Sequence, residues 1–322
     1  PEGLLRALQQ CVGLIQEQMN QAPTHMDPQV LQFFYQALQF CRVAELFDEH
    51  FLFDISQRQG PRKRRLATLC LRNVIPARLL APRMHAARSV TLFSATLSPR
   101  HFYSDLLGMP ADTAWLDVAA PFRAEQLEVR IASQVSTRYQ QRQASLAPIV
   151  DLIARQYERM PGNYLAFFSS FEYLQQVAGL LAEQHGQIPL WSQEPGMDEA
   201  ARQAFLDRFV ADGRGVGFAV LGGAFGEGVD LPGTRLIGAF VATLGLPQVN
   251  PVNEQFKQRL GRQFGAGFDY AYLYPGVRKV IQAAGRVIRG DQDRGVLVLI
   301  DERFAETRVQ QMFPGWWAAA TV

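Results

Sequence analysis

The stretch "QAAGRVIRG", residues 282–290, carries an amide and two guanidinium groups at a spacing that could bind phosphate. At 100° per residue, Gln282, Arg286 and Arg289 fall on one side of a helix, and the apolar residues of 280–288 fall on the other. One face would then pack on a core while the other presents planar donors that match phosphate oxygens. Taken alone, the arginines also fit a basic helix face that is simply solvated.

Composition sets the limits for any such site. The chain has 322 residues, 48% of them hydrophobic and 19% charged, which is enough for a large core and indicates about two domains. A net charge of +2 gives no overall basic field, although all but three of the 32 basic residues are arginines. The three cysteines lie about thirty residues apart and fit neither a metal site nor a disulfide framework. The longest uncharged run, 236–253, contains prolines and asparagines and is not a membrane span.

Hydrophobic periodicity predicts two helices, then a change of character after a basic, exposed linker at 56–65. Helices are predicted at 4–20, 28–50, 100–107, 139–158, 171–185, 197–210, 251–264 and 277–290. Strands are predicted at 89–94, 127–132, 164–168, 188–191, 216–221, 235–241, 271–274 and 295–300. Apolar strands that alternate with helices indicate an α/β fold, a mostly parallel sheet covered on both faces.

Two of the predicted strands end in small hydroxyl residues. "LFSATLSP" places Ser94, Ala95 and Thr96 where the backbone could approach another domain, although a plain serine–threonine turn fits as well. "FFSSF" places Ser169 and Ser170 before Phe171, at the start of a helix. Such a serine can cap the free N–H groups of the helix, and the same helix end can receive a phosphate. Both interpretations stay open for this stretch.

The stretch "GGAFGEGVDLPG", 222–233, contains five glycines together with Glu227 and Asp230, and it follows a buried strand. Glycines at this density let a backbone run close to a partner and adopt positive φ, which an ordinary loop would not need.

Gly285 borders the polar face of the arginine stretch. It costs a helix about 1 kcal/mol relative to alanine, so close approach by another surface is a reason for it.

The sequence can be compared with three known nucleotide-binding patterns. None of the three lysines follows a glycine, so the phosphate loop G-x-x-x-x-G-K-[ST] is absent from these residues. "VLVLIDE", 296–302, imitates the strand-end carboxylate pair of a nucleotide hydrolase, but without a phosphate loop we interpret Asp301 as a local cap or ion-pair partner. "GRQFGAGF", 261–268, lacks the glycine order of a nicotinamide site.

Taken in order, four stretches resemble the second half of a superfamily 2 DNA helicase of the DinG/XPD type. "FSATLSP" resembles motif III, "FFSSFEYL" motif IV, "GGAFGEGVDLPG" motif V and "QAAGRVIRG" motif VI. The resemblance implies a RecA-like, three-layer motor domain preceded by a small helical segment. It further implies a helical part of the arch insertion at 1–60, the end of a first motor domain at 61–96 and the second motor domain at 97–322.

The resemblance also implies roles for individual residues. ATP and Mg²⁺ would be bound mainly by a first motor domain that these residues do not contain, with Arg286 and Arg289 reaching the γ-phosphate and Gln282 seating the nucleotide. The residues implied in nucleotide binding and interdomain coupling are Gly285, Glu227, Gly228, Asp230, Ser94, Ala95 and Thr96. Those implied in contacts with single-stranded DNA are Ser169, Ser170, Phe171, Gly223 and Phe225. A protein of this type is expected in the bacterial cytoplasm, associated with the nucleoid and with no membrane partner.

The departures from the family pattern are as informative as the matches. The chain lacks the phosphate loop and the Asp-Glu-x-His box, so we expect a C-terminal portion of a longer helicase that hydrolyses no ATP alone. The cysteines do not match the spacing of an iron–sulfur cluster, and no cluster or other metal site is assigned. The alternative is a non-catalytic RecA-like module that binds DNA or a partner protein without ATP.

Overall fold

The computed structural model describes residues 2–21, 26–60, 64–226 and 229–322. Ten helices are found there, and no helix in these ranges is long and apolar enough to cross a membrane. The helices are α1 (Glu2–Gln21), α2 (Pro28–Glu45), α3 (Ala77–Ala86), α4 (Arg100–Leu107), α5 (Arg142–Arg159), α6 (Phe171–Gln184), α7 (Glu199–Asp207), α8 (Pro251–Phe264), α9 (Tyr274–Ala284) and α10 (Thr307–Gln310).

Two sheets are present in the described residues. The strands are β1 (Phe51–Gln59), β2 (Arg65–Asn73), β3 (Leu127–Ala132), β4 (Asn163–Phe168), β5 (Leu190–Ser192), β6 (Gly215–Val220), β7 (Gly238–Ala242), β8 (Gly295–Ile300) and β9 (Ala319–Thr321). β1 and β2 form an antiparallel hairpin, and the other seven form a parallel sheet in the order β5-β6-β4-β7-β8-β3-β9. The carboxyl ends of the seven parallel strands therefore meet at one edge.

Both faces of the parallel sheet are covered. On one face the side chains of α5 and α6 pack on Tyr164, Ala166 and Phe168 of β4. On the other face α7, α9 and the residues after β8 pack on Leu165 and Phe167 of the same strand. β4 is buried along its whole length because alternate residues enter opposite cores, which explains its continuous apolar sequence. The predicted three-layer α/β architecture is confirmed.

The N-terminal elements pack on the end of the molecule that carries α8. A separate core joins Leu52 and Phe102 to Leu260 of α8 and to Tyr270. The guanidinium Nη1 of Arg259 donates to the carbonyl oxygens of Glu49 and Phe51, at 2.5 and 2.7 Å. These contacts fix the β1–β2 hairpin and α4 against α8.

The linker predicted at 56–65 is wrong where the structure describes it. Residues 56–59 and 65 belong to the paired strands of the hairpin, with Gln59 opposite Arg65, while residues 61–63 lie outside the described residues. The strands escaped prediction because most of their side chains are exposed and their apolar residues do not alternate with polar ones. The boundary predicted between residues 60 and 61 falls between the two strands of this hairpin.

Other elements also differ from prediction. Residues 89–94 form no strand: they pair with no other described segment, and Phe93 is 90% exposed. Residues 271–274 are helical, because a π-turn at Asp269–Leu273 runs directly into α9. A short apolar run does not separate a buried strand from a buried helix. α2 ends at Glu45 rather than residue 50, and the short edge strand β9 was not predicted.

Candidate functional site

The carboxyl ends of β4 and β6 lie side by side. The amide of Leu221, which follows β6, donates to the carbonyl of Phe168 at the end of β4, at 2.8 Å. Consequently the Ser169–Ser170 pair and the glycine-rich loop, here residues 221–231, leave the same edge of the sheet. Two of the four stretches singled out in the sequence are thus neighbours in space.

The two serines at the end of β4 differ in their contacts. The side chain of Ser170 is the N-cap of α6 and accepts a hydrogen bond from the amide of Tyr173, at 3.3 Å. This confirms the capping interpretation, which does not exclude a ligand at the same helix end. The hydroxyl of Ser169 is exposed and accepts from Nη2 of Arg142, at 2.8 Å. Phe171, the first residue of α6, is half-buried.

The second residue of the glycine-rich loop, Gly222, has a backbone conformation that favours glycine. Gly222 has φ of 78°, which a residue with a Cβ adopts only with strain. A Cβ there would also lie 3.1 Å from the Cδ of Lys279, whose aliphatic chain from α9 crosses the loop. Gly223 follows, half-buried, with its amide bonded to the carbonyl of Val220 at 3.1 Å. The loop therefore runs close against α9.

The arginine stretch is not one continuous helix, and the predicted helix over 277–290 is wrong in its second half. α9 ends at Ala284, and Gly285 is its C-cap, with φ of −63°. Arg286 lies in the turn that follows, with its amide bonded to the carbonyl of Ala283 at 3.2 Å. The apolar side was predicted correctly, since Val280, Ala283, Ala284, Val287 and Ile288 are all buried.

Both arginines are tied to the glycine-rich loop. Nη1 of Arg286 donates to the carbonyl of Val229, at 3.1 Å. Nε and Nη2 of Arg289 lie 3.0 and 2.9 Å from one carboxylate oxygen of Asp230. The side chains of Arg289 and Asp230 are 38% and 67% exposed, so this ion pair faces solvent rather than the core. The structure thus brings the predicted residues Asp230, Arg286 and Arg289 together.

The half-buried face of α9 contains two polar atoms without a partner in the described residues. The Oε1 atom of Gln282 is buried and accepts no hydrogen bond, and the Nε atom of Arg278, one turn earlier, is buried and donates none. Buried polar atoms in native proteins are usually paired, so such atoms indicate a contact that these residues do not supply. The predicted site residue Gln282 therefore has capacity for a ligand or a neighbouring domain.

Three further groups of predicted residues are not part of the contact between the glycine-rich loop and the two arginines as the structure describes it. Ser94, Ala95 and Thr96 form a local turn in which the amide of Thr96 donates to the hydroxyl of Ser94, at 3.2 Å. Among the described residues, no hydrogen bond joins this turn to the arginines. The ring of Phe225 is 1% exposed and stacks on Phe205, with ring centroids 4.2 Å apart. We therefore correct its predicted contact with DNA and assign Phe225 to the core. Glu227 and Gly228 lie outside the described residues.

Asp301, at the end of β8, has the local structural role predicted for it. Its carboxylate is fully buried, caps the amide of Arg303 and forms an ion pair with the guanidinium of that residue at 2.6 Å. It also accepts hydrogen bonds from the amide and the hydroxyl of Thr137, the former at 3.0 Å. Burial by itself raises the pKa of Asp301, but the hydrogen bonds and charge of Arg303 outweigh burial and lower it.

The exposed ion pair of Asp230 allows a direct test of whether it is structural. We expect Asp230→Ala to change the free energy of unfolding by less than about 1 kcal/mol, because ion pairs in contact with water contribute little. Urea denaturation measures this, with Asp151→Ala as control, since Asp151 forms a similarly exposed pair with Arg155 at 3.7 Å. A loss above about 2 kcal/mol would show that Asp230 holds the loop in place.

A comparison with known protein families decides the relationship of this chain. The model of the helicase C-terminal domain matches residues 153–320, just over half of the chain. The chain belongs to the helicase C-terminal domain family. The matched residues include the glycine-rich loop and the arginine stretch, so the candidate site lies inside the family domain.

Individual relatives agree with this assignment. The chain is 31% identical over 163 residues, 46% of its length, to the probable ATP-dependent helicase MJ0942 of Methanocaldococcus jannaschii, 25% of which it covers. It is 26% identical over 75% of its length to the ATP-dependent helicase DinG of Mycobacterium tuberculosis, 37% of which is covered. The chain thus spans about a quarter to a third of these relatives.

The fold of this chain is also similar to that of a solved structure. An XPD helicase superposes with a TM-score of 0.65 and 18% sequence identity, over 91% of this chain and 50% of the other. At this identity the similarity concerns the fold, which agrees with the RecA-like, parallel-sheet architecture predicted from the order of motifs.

Proposed function

We propose that this chain is the C-terminal motor portion of an ATP-dependent DNA helicase. The observation that carries the proposal is the pairing of the glycine-rich loop with the turn after α9, through Arg286 to Val229 and Arg289 to Asp230. A solvent-facing guanidinium held by a loop from a strand end can meet charge on a neighbouring domain. The named helicases among the relatives support this choice over a non-catalytic module.

In this proposal the arginines act on a nucleotide bound between two motor domains. ATP and Mg²⁺ would be bound mainly by the first motor domain, which is the principal protein partner of this chain. Arg286 and Arg289 would neutralise negative charge on the transferred phosphoryl group, as fixed guanidinium groups do in other nucleotide hydrolases. The unpartnered Oε1 of Gln282 fits a role in seating the nucleotide.

The remaining predicted residues would couple the nucleotide to the nucleic acid. Single-stranded DNA would contact Ser169, Ser170, Phe171 and Gly223 at the carboxyl edge of the sheet. Asp230 and Glu227 would relay the nucleotide state through the glycine-rich loop, which Gly228 and Gly285 let lie close to a partner. The residues proposed to contact the first motor domain are Ser94, Ala95 and Thr96. We propose that residues 97–322 form the second motor domain and that this domain acts on DNA in the bacterial nucleoid.

The proposal is tested by ATP turnover with and without single-stranded DNA. We expect the full-length protein to show DNA-stimulated hydrolysis, and the 322-residue chain alone to hydrolyse ATP at the background rate, because it contains no phosphate loop. A thermal unfolding transition of the chain would establish that it is folded in this assay. Turnover above background by the folded chain alone would contradict the division of labour between two motor domains.

A further inference from the structure

The N-terminal turns of α5 and α6 lie against each other at the carboxyl edge of the sheet. The hydroxyl of Ser145 lies 2.5 Å from the phenol oxygen of Tyr173, which joins the two turns. The same hydroxyl donates to the carbonyl of Arg142 at 2.7 Å. Residues 138–142, which precede and begin α5, are therefore held beside Ser169, one of the residues proposed to contact DNA.

The guanidinium group of Arg142 is held in place by its neighbours, but none of these described neighbours is a carboxylate that pairs with its charge. Its guanidinium carbon lies 5.1 Å from the ring centroid of Tyr139 and 5.1 Å from that of Tyr173, within the range of cation–π attraction. Its Nη2 donates to Ser169. Within the described part of the chain, Arg142 forms no ion pair with a carboxylate, and its Nη1 has no hydrogen-bond partner. A positioned cation with donors to spare is suited to a phosphate.

Two carboxylates at this edge of the sheet, those of Asp301 and Glu302, are already paired with other arginines. Glu302 forms an ion pair with Arg138 at 2.6 Å, and the buried Asp301 is paired with Arg303. The guanidinium of Arg142 therefore does not serve to balance these carboxylates. Its positive charge is available at the edge of the sheet from which the serines of β4 and the glycine-rich loop both leave.

Tyr139 adds an aromatic surface at the same place. It is 80% exposed, although its ring touches the guanidinium of Arg142 on one side. An exposed aromatic ring beside a cation is the combination that single-strand binding proteins use, with a base stacked on the ring and the backbone held by the charge. Nothing in the packing of the domain requires a tyrosine here.

We infer that Tyr139 stacks on a base of single-stranded nucleic acid and that Arg142 binds an adjacent phosphate. The inference rests on the proposed function and extends it to two residues outside the four stretches recognised in the sequence. It places a stacking contact beside Ser169, one of the residues proposed to contact single-stranded DNA.

The stacking contact is tested by the affinity of the full-length protein for a fluorescent oligothymidylate. We expect Tyr139→Ala to weaken binding about 5- to 150-fold, the range measured for loss of one stacked base, and Tyr139→Phe to bind like the wild type. On an oligonucleotide of abasic sites, Tyr139→Ala and the wild type should bind equally. Tyr35→Ala is the control, because Tyr35 of α2 is also exposed, at 59%.

The phosphate contact is tested by the salt dependence of the same binding. We expect Arg142→Gln to reduce the slope of log affinity against log salt by about 0.7, the value for one phosphate of a single strand. Arg155→Gln is the matched control, since Arg155 is an exposed arginine of the same helix. An unchanged slope in Arg142→Gln would show that Arg142 does not bind a phosphate.

These outcomes separate the inference from the function on which it rests. If DNA stimulates ATP hydrolysis while Tyr139→Ala binds oligothymidylate as tightly as the wild type, the stacking site is overturned and the helicase proposal stands. An equal loss on normal and abasic strands would also overturn stacking, since no base is then involved. If the full-length protein binds no single-stranded DNA, both fail.

Discussion

Replacement of Arg286 by alanine in the full-length protein is expected to lower kcat for DNA-stimulated ATP hydrolysis about a thousandfold or more. A fixed guanidinium at the transferred phosphoryl group contributes roughly 10³ to 10⁵ in rate in other nucleotide hydrolases. The effect belongs to the transition state, so the affinity for ATP should change much less than kcat. Steady-state turnover together with binding of a fluorescent ATP analogue measures the two separately.

Two further variants make the Arg286 experiment specific. Arg286→Lys keeps the charge but loses the planar pair of donors, and should recover only part of the lost rate. Arg294→Ala is the control: Arg294 follows in the same loop, is exposed, and donates only to the carbonyl of Glu125 at 3.1 Å among the described residues. Unchanged DNA-stimulated hydrolysis in Arg286→Ala would support the non-catalytic module.

Replacement of Asp301 by alanine is expected to destabilise the domain by about 3–5 kcal/mol. The change leaves the guanidinium of Arg303, which is 14% exposed, without its counter-charge, and removes the acceptor of Thr137. Removing one partner of a buried ion pair costs this much because the remaining charge stays desolvated. Urea denaturation of the folded chain measures the loss, with Glu302→Gln as control, because the neighbouring Glu302 is 40% exposed. Equal stability of both variants would contradict the role of Asp301.

The pH dependence of stability gives an independent measure of the same group. The pKa of Asp301 is lowered in the folded state, so the folded protein releases this proton more readily than the unfolded chain. Its contribution is therefore complete at neutral pH and disappears as the pH falls below about 4, the usual carboxyl pKa, towards the lower folded pKa. The free energy of unfolding of Asp301→Asn should lack this part of the acid dependence. If the difference in free energy of unfolding between the wild type and this variant were constant with pH, this role of Asp301 would be contradicted.

The sequence predicted the central sheet well because burial on both faces leaves a clear signal. β4 and β8 are continuous apolar runs, and both were found within a residue or two. The hairpin of β1 and β2 was missed because only its first residues are buried and the apolar residues of both strands follow no alternation. The segment 89–94 was mistaken for a strand because an apolar run reports hydrophobicity, while a strand also needs a neighbour to pair with.

The sequence predicted which residues form the candidate site better than it predicted how they are arranged. The motif order selected Asp230, Arg286 and Arg289, which the fold brings into contact, but helical periodicity placed both arginines on a helix that stops at Ala284. Phe225 shows the opposite failure, since an aromatic residue within a motif was assigned to DNA and proved to be core. Arg142 and Tyr139 gave no motif signal, because their importance depends on which strand end they are folded against.

The end of α9 at Ala284 has a mechanical consequence for the two arginines. Beyond that residue their side chains contact the carbonyl of Val229 and the carboxylate of Asp230, both on the loop that starts beside the carboxyl end of β4. If the chain acts as proposed, a displacement of this loop by single-stranded DNA would therefore change the contacts that position both guanidinium groups. On that proposal, the glycine-rich loop would transmit movement of the nucleic acid to the site of ATP hydrolysis.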